Sequence, residues 1–246
     1  MTKASTETSE ITVMPFNYLL DWNLIEKNNF SLKNSDIIFD EAHNVDSLAE
    51  EGSSLEISSE LLTQSLGELK GIDQAIKSRY LHKNFEESPQ NRGFVSELQT
   101  FTSNFRNKLK EHSGKEVVFN NLHDIMESLK CLTSYADPTS GELYAGLNLG
   151  NYEDIFFTFE RTIKIFNSKG IPSEHTGLFY ETLKRIFTLL DENHHSIEED
   201  YYVSISRSGQ GAALRFNCLN ASISFNRITQ ESPRSIILCS GTLGPF

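Results

Sequence analysis

A chain of 246 residues can bury one large core or two modest ones. A net charge of −12 argues against a broad basic surface for nucleic acid, although charge can still be segregated by face. The three cysteines Cys131, Cys218 and Cys239 are far apart and form no CxxC pair, which predicts reduced thiols in an intracellular protein rather than a disulfide framework or zinc site. No apolar run reaches the roughly 18–20 residues of a membrane span, and Met1 to Glu10 has no signal-peptide character.

Taken in order, Ile11 to Met14 reads as a short strand and Tyr18 to Ile25 as a helical turn or two. Ser35 and Asp36 open an apolar strand, Ile37-Ile38-Phe39, that ends in Asp40-Glu41-Ala42-His43. A helix should follow from Asn44, a good N-cap, with Val45, Leu48 and Ala49 at helical spacing. Residues 52–200 are expected to be mainly helical. Ser58 to Ala75, capped by Ser58 or Ser59, carries apolar residues at helical spacing, and Phe94 to Leu109 does the same. Two further amphipathic helices run through Ile155 to Phe166, ended by Gly170-Ile171-Pro172, and through Leu178 to Leu190. Ser88-Pro89-Gln90-Asn91 and Asp137-Pro138-Thr139-Ser140-Gly141 read as loops. Tyr201 to Ile205 alternates as a strand, with Ala213 to Phe216 as its hairpin partner. Ala221 to Ile228 reads as a helix, and Arg234 to Ser240 as a second buried strand able to neighbour the first.

The acids after Phe39 carry the chemistry. A buried parallel strand delivers its terminal side chains to the sheet edge where ligands bind in open α/β folds. Adjacent Asp and Glu at that edge suit the magnesium-holding and water-polarising work of a nucleotide hydrolase. Ser240-Gly241-Thr242 ends the second strand, and by itself it reads as an ordinary turn.

Three segments in fixed order then resemble a family. Met14-Pro15-Phe16-Asn17-Tyr18-Leu19-Leu20-Asp21, Ile38-Phe39-Asp40-Glu41-Ala42-His43-Asn44-Val45 and Ile236-Ile237-Leu238-Cys239-Ser240-Gly241-Thr242-Leu243 are similar to the XPD family of iron–sulfur superfamily-2 DNA helicases. Phe216-Asn217-Cys218-Leu219-Asn220, and the spacing from Leu20 to the DEAH box, look closest to the Fanconi anaemia J and telomere-length-regulator helicases. The resemblance implies an α/β fold: a partial RecA-like parallel sheet interrupted by a long, mainly helical Arch insertion. Residues 1–51 would be part of helicase domain 1 with the DEAH box, 52–212 the Arch, and 213–246 the return to domain 1 with the SGTL segment. It also implies ATP and Mg2+ as cofactors and single-stranded DNA as partner, with 5′–3′ movement in a nuclear enzyme.

Asp40 would hold the metal, Glu41 would polarise the attacking water, and His43 would couple the nucleotide site to Ser240, Gly241 and Thr242. Asn17 and Tyr18 are candidate DNA contacts, with packing an equal reading for the tyrosine. One aromatic of the insertion could stack on single-stranded DNA, but the phenylalanine stripes read foremost as packing faces.

The sequence also departs from the pattern. No G-x-x-x-x-G-K-[ST] loop occurs, and Gly114-Lys115-Glu116 has neither the neighbours nor the hydroxyl. The four cysteines of the family's 4Fe-4S cluster have no counterparts before Met14. The chain therefore reads as an internal slice of such a helicase, an ATP-dependent enzyme by family that is expected to be inactive alone. A rival reading is a non-catalytic Arch-type module that docks other proteins. Other features read as surface: His194-His195 as a solvated helix end, Glu198-Glu199-Asp200 as a solvated loop, and Lys108, Lys110 and Lys115 as a thin basic cluster.

Overall fold

The computed structural model describes residues 10–21, 24, 31–77, 89–112, 114, 116–136, 143–144, 146–147, 150, 152–192, 197–209 and 211–241. In chain order the elements are α1 (Asn17–Leu20), β1 (Asp36–Phe39), a 3-10 turn (Ala42–Asn44), α2 (Val45–Ser53), β2 (Leu55–Ser58), α3 (Ser59–Lys77), α4 (Pro89–Glu111), β3 (Val117–Phe119) and α5 (Leu122–Thr133). There follow β4 (Tyr135–Ala136), β5 (Leu143–Tyr144), α6 (Tyr152–Lys169), α7 (Glu174–Glu192), α8 (Ile197–Asp200), β6 (Tyr201–Ser208), β7 (Gly211–Cys218), α9 (Ser222–Gln230) and β8 (Ser235–Leu238). The chain divides into two compact units: residues 1–54 with 217–246, and residues 55–216. A parallel sheet is thus interrupted in sequence by a long, mainly helical insertion, the fold class expected above.

In the first unit β1 and β8 pair in parallel, with Ile37 opposite Ile236 and Phe39 opposite Leu238. The core beneath them is small: Leu20, Ile37, Phe39, Ala42, Val45, Ala49 and Ile228, flanked by Phe16 and Phe225. Phe39 sits between those two rings, edge-on to each. The strands are not buried on both faces as an uninterrupted apolar run suggests. Ile38 is 63% exposed and Ile237 44%, because only one face of the pair packs on helices.

A hydroxyl clasp joins the helices of this unit. The buried Ser224 Oγ on α9 donates or accepts with Ser53 Oγ at 2.6 Å, and lies within hydrogen-bond distance of the carbonyls of Leu20 and Ala49. Gly52 lets α1 approach α2, since a Cβ there would lie 2.5 Å from the Leu20 carbonyl oxygen.

Several local expectations shift. Residues 11–14 form no regular strand; the first helix spans Asn17–Leu20, Leu24 is again helical, and Trp22, Asn23 and Ile25 of the expected helical stretch lie outside the described residues. Asn44 does not cap α2 with its side chain, because the 3-10 turn feeds directly into the helix. Pro89 is no loop residue but the first of α4, where its missing N–H costs nothing. The Asp137–Gly141 loop and His194-His195 lie outside the described residues.

The insertion has a four-stranded sheet in the order β2-β7-β6-β3 and a helical layer built on aromatic packing. Phe179 on α7 packs within 5.2–6.2 Å of Phe101 and Phe105 on α4 and Phe159 on α6. The expected Ser58 cap forms, its Oγ accepting from the Leu61 N–H at 3.1 Å. Helix α6 ends where Gly170 adopts φ +63° and the Ile171 N–H returns to the Phe166 carbonyl.

Charges read as surface serve helix ends instead. Glu198 accepts from the Leu122 N–H at the start of α5, while Lys108 Nζ donates to the Cys131 and Ser134 carbonyls at its finish. Both signs suit the helix dipole. Glu68 on α3 accepts from the His175 and Thr176 N–H groups at the start of α7, and from both of their side chains. Burial alone would push the Glu68 carboxyl up, but these four donors outweigh it and hold it below the ordinary range.

Candidate functional site

The site begins with backbone. Beyond the last β1 residue the pairing to the returning chain continues: the Cys239 N–H donates to the Phe39 carbonyl at 2.8 Å, and the Ala42 N–H to the Cys239 carbonyl at 2.9 Å. These two bonds bring the DEAH turn beside Ser240 across a separation of 197 residues from His43. Asp40 turns its own carboxylate back, Oδ1 accepting from the Glu41 N–H at 3.0 Å. Glu41 takes left-handed backbone, φ +52°, a conformation a non-glycine residue holds only where neighbouring bonds impose it.

Three side chains then close a ring. His43 Nδ1 lies 3.1 Å from Ser240 Oγ, Ser240 Oγ donates to Glu41 Oε2 at 3.1 Å, and His43 Nδ1 is 3.3 Å from that same Oε2. All three are solvent-accessible, so each bond contributes modestly to stability. Their value is geometric, because the ring fixes one carboxylate oxygen. The direct Ser240–Glu41 bond has no signal in the sequence, where the two are 199 positions apart.

The structure brings Asp40, Glu41, His43 and Ser240 together at the carboxyl end of a parallel strand pair. Gly241 follows as an exposed turn residue, and Thr242 lies outside the described residues. Asn17 is exposed and Tyr18 half-buried on α1. Among the described residues neither hydrogen-bonds to the four. At the opposite end of the strands Arg234 forks onto Asp36, with Ser235 Oγ donating to it at 2.7 Å, and the guanidinium holds the Asp36 carboxyl well below the usual carboxylate range.

The donor set limits what the site can hold. Among the described residues no group of three His, Cys, Asp or Glu is arranged for a metal ion. One exposed carboxylate, Asp40, suits a hard cation that takes most of its oxygens from phosphates and water, as Mg2+ does. An iron–sulfur cluster does not fit, since it takes four cysteines, the chain has three, and among the described residues no three ligands are grouped. No described helix is long and apolar enough to cross a membrane.

The DEAD_2 family model matches residues 1–62. The chain is similar to a regulator of telomere elongation helicase 1 homolog from Caenorhabditis elegans, 23% identical across 100% of this chain and 29% of the relative. It is likewise similar to regulator of telomere elongation helicase 1 from Homo sapiens, 23% identical across 97% of this chain and 22% of the relative. The Aedes aegypti homolog is 25% identical across 100% of this chain and 27% of the relative. Among solved structures, a truncated XPD covers 99% of this chain and 54% of its own at a TM-score of 0.49 and 16% identity. The chain thus spans between a fifth and a third of the length of these curated relatives. With the DEAH turn and its serine partner in place, the chain is similar over nearly its whole length to regulator of telomere elongation helicases, and its first 62 residues match the DEAD_2 model.

Proposed function

We propose that this chain supplies the magnesium-and-water half of the nucleotide site of an ATP-dependent DNA helicase, together with the family's Arch. The observation that carries the reading is the Asp40-Glu41-Ala42-His43 turn bonded to Ser240 at the end of parallel strands. In this reading Asp40 holds Mg2+ through oxygen, and Mg2+ when bound neutralises charge on the transferring phosphoryl group. Glu41 accepts a proton from the attacking water. His43 and Ser240 pass the state of that carboxylate to the strand leading out of the site. Residues 1–51 and 213–246 belong to helicase domain 1 and 52–212 to the Arch. The enzyme works in the nucleus, moves 5′ to 3′ on single-stranded DNA, and uses the Arch surface for DNA and protein partners. Asn17 and Tyr18 contact DNA in the assembled motor.

No phosphate-cradling G-x-x-x-x-G-K-[ST] loop occurs within these 246 residues. The reading therefore expects no ATP turnover from the chain by itself, with or without single-stranded DNA. It expects DNA-stimulated turnover when the chain replaces the matching span of a regulator of telomere elongation helicase, and loss of that turnover with Glu41→Gln. Turnover by the isolated chain that Glu41→Gln abolishes would overturn the division of labour. A folded, DNA-binding chimaera whose turnover ignores Glu41→Gln would overturn the role of Glu41.

A further inference from the structure

The three-membered ring at the site constrains where hydrogens can be. Glu41 Oε2 is a carboxylate oxygen and can only accept. It faces two neighbours, Ser240 Oγ at 3.1 Å and His43 Nδ1 at 3.3 Å, and those two are themselves 3.1 Å apart. The serine hydroxyl has one hydrogen, which it donates to Glu41. Were His43 Nδ1 unprotonated, its lone pair would point at both a carboxylate oxygen and a hydroxyl oxygen whose hydrogen is already committed. That arrangement is repulsive on two edges of the ring. With a hydrogen on Nδ1, all three edges become attractive and the imidazole donates into the Ser240–Glu41 pair.

We infer that Ser240 is a positioning residue for Glu41, and that the ring it closes fixes neutral His43 as the Nδ1–H tautomer. Unconstrained histidine prefers the Nε2–H form, so the ring inverts the ordinary balance. Two consequences follow. Glu41 Oε2 is occupied by the ring, and Oε1, which takes no partner among the described residues, is the oxygen presented to a water. His43 Nε2 keeps its lone pair as an acceptor. The functional meaning rests on the proposed role of Glu41 in water activation, but the hydrogen placement stands on the ring alone.

The test is made on the 246-residue chain at about pH 8. Histidine ring nitrogens are labelled with 15N, and the long-range proton–nitrogen pattern of His43, assigned by its loss in His43→Gln, reports the tautomer. The wild-type chain should show the Nδ1–H pattern in excess. Glu41→Gln places an amide where the carboxylate stood and should return the ring toward the Nε2–H form. Ser240→Ala should shift the balance the same way, and Ser240→Thr, which keeps the hydroxyl, should restore it. Unchanged backbone spectra elsewhere in each variant show that folding is intact, as expected for accessible side chains. A wild-type Nε2–H pattern, or a His43 pattern indifferent to both Glu41→Gln and Ser240→Ala, overturns the inference. Because the readout uses no nucleotide, it separates from failure of the helicase reading: an inactive chimaera with an intact Nδ1–H ring leaves the inference standing.

Discussion

Left-handed backbone falls on different residue types in the two units. Among the described residues, in the unit that carries the site it falls on Asn34, Glu41 and Ser232, whereas in the insertion it falls on Gly146, Gly170 and Gly209. Glycine takes that conformation without cost, while a residue with a Cβ is held there by its surroundings. The cores differ in the same sense. The insertion buries Phe101, Phe105, Phe159, Phe166, Phe179 and Phe187, and closes its helix ends with charged side chains from other elements. The site-bearing unit has a small core, an exposed strand face and a ring of accessible polar groups. One region is organised for stability. The other holds a few polar atoms in place through backbone and side-chain hydrogen bonds.

The largest effect should come from the aromatic centre of the insertion. Phe179 is fully buried against three other rings. Phe179→Ala should lower the unfolding free energy by about 3–5 kcal/mol, read from urea unfolding. Amide exchange should place the loss in residues 55–216 and leave the protection of α2 and α9 near its starting level. A cost under about 1 kcal/mol would show a loose aromatic layer and remove the contrast between the two cores.

Next is the Glu68 cap. Glu68→Gln sets amide hydrogens against the His175 and Thr176 N–H groups, and should cost about 1–3 kcal/mol at neutral pH. The folded carboxyl titrates below its ordinary value, so its contribution is complete above the unfolded value near about 4.3 and fades as pH falls through the lowered one. The gap between wild type and Glu68→Gln should therefore narrow only on the acid side of that value. A gap constant from neutral pH down to acid would mean that packing, not charge, makes the cap.

On the other side of the comparison, Ser224→Ala should cost about 1 kcal/mol, since it leaves the buried Ser53 hydroxyl without this partner and removes the hydroxyl facing the Leu20 carbonyl. Amide exchange should show the loosening in α1, α2 and α9. If protection falls in the insertion instead, the clasp does not belong to the site-bearing unit.

What the sequence made legible follows from range. Periodicity exposed the long helices, because Leu62, Leu66, Leu69 and Phe101, Phe105, Leu109 repeat within single elements. Strands of three or four residues such as Leu55–Ser58 and Val117–Phe119 carry too few alternations to register. Glu198 and Lys108 read as surface because their partners are 76 and 23 residues away and a charge shows nothing locally of the helix end it meets. Pro89 read as a loop although proline is equally at home in a helix's first turn. At the site the residue types and order were legible, and the closeness of strands 1 and 8 was foreseen. The serine-to-glutamate bond was not, since it depends on register and on the turn at Glu41.

The smallest effect tests the comparison most directly. At Glu41 the left-handed backbone burdens a side chain, so Glu41→Gly and Glu41→Ala should differ although both delete the carboxylate. Alanine keeps the Cβ that opposes this conformation, at a cost of roughly 1–2 kcal/mol, while glycine removes it and gives back about 0.5–1 kcal/mol through unfolded-chain freedom. Glu41→Gly should therefore be the more stable by about 0.5–1 kcal/mol in urea unfolding. Gly170 supplies the mirror experiment. A Cβ there meets nothing within 4 Å, so Gly170→Ala isolates the backbone and should destabilise by about 1 kcal/mol. Glycine more stable than alanine at both positions would establish that both backbones are left-handed and that only at Glu41 does a native side chain bear the cost. Equal stability of Glu41→Gly and Glu41→Ala would mean that the turn relaxes once its carboxylate leaves the ring with His43 and Ser240, making the ring the source of the conformation rather than its result.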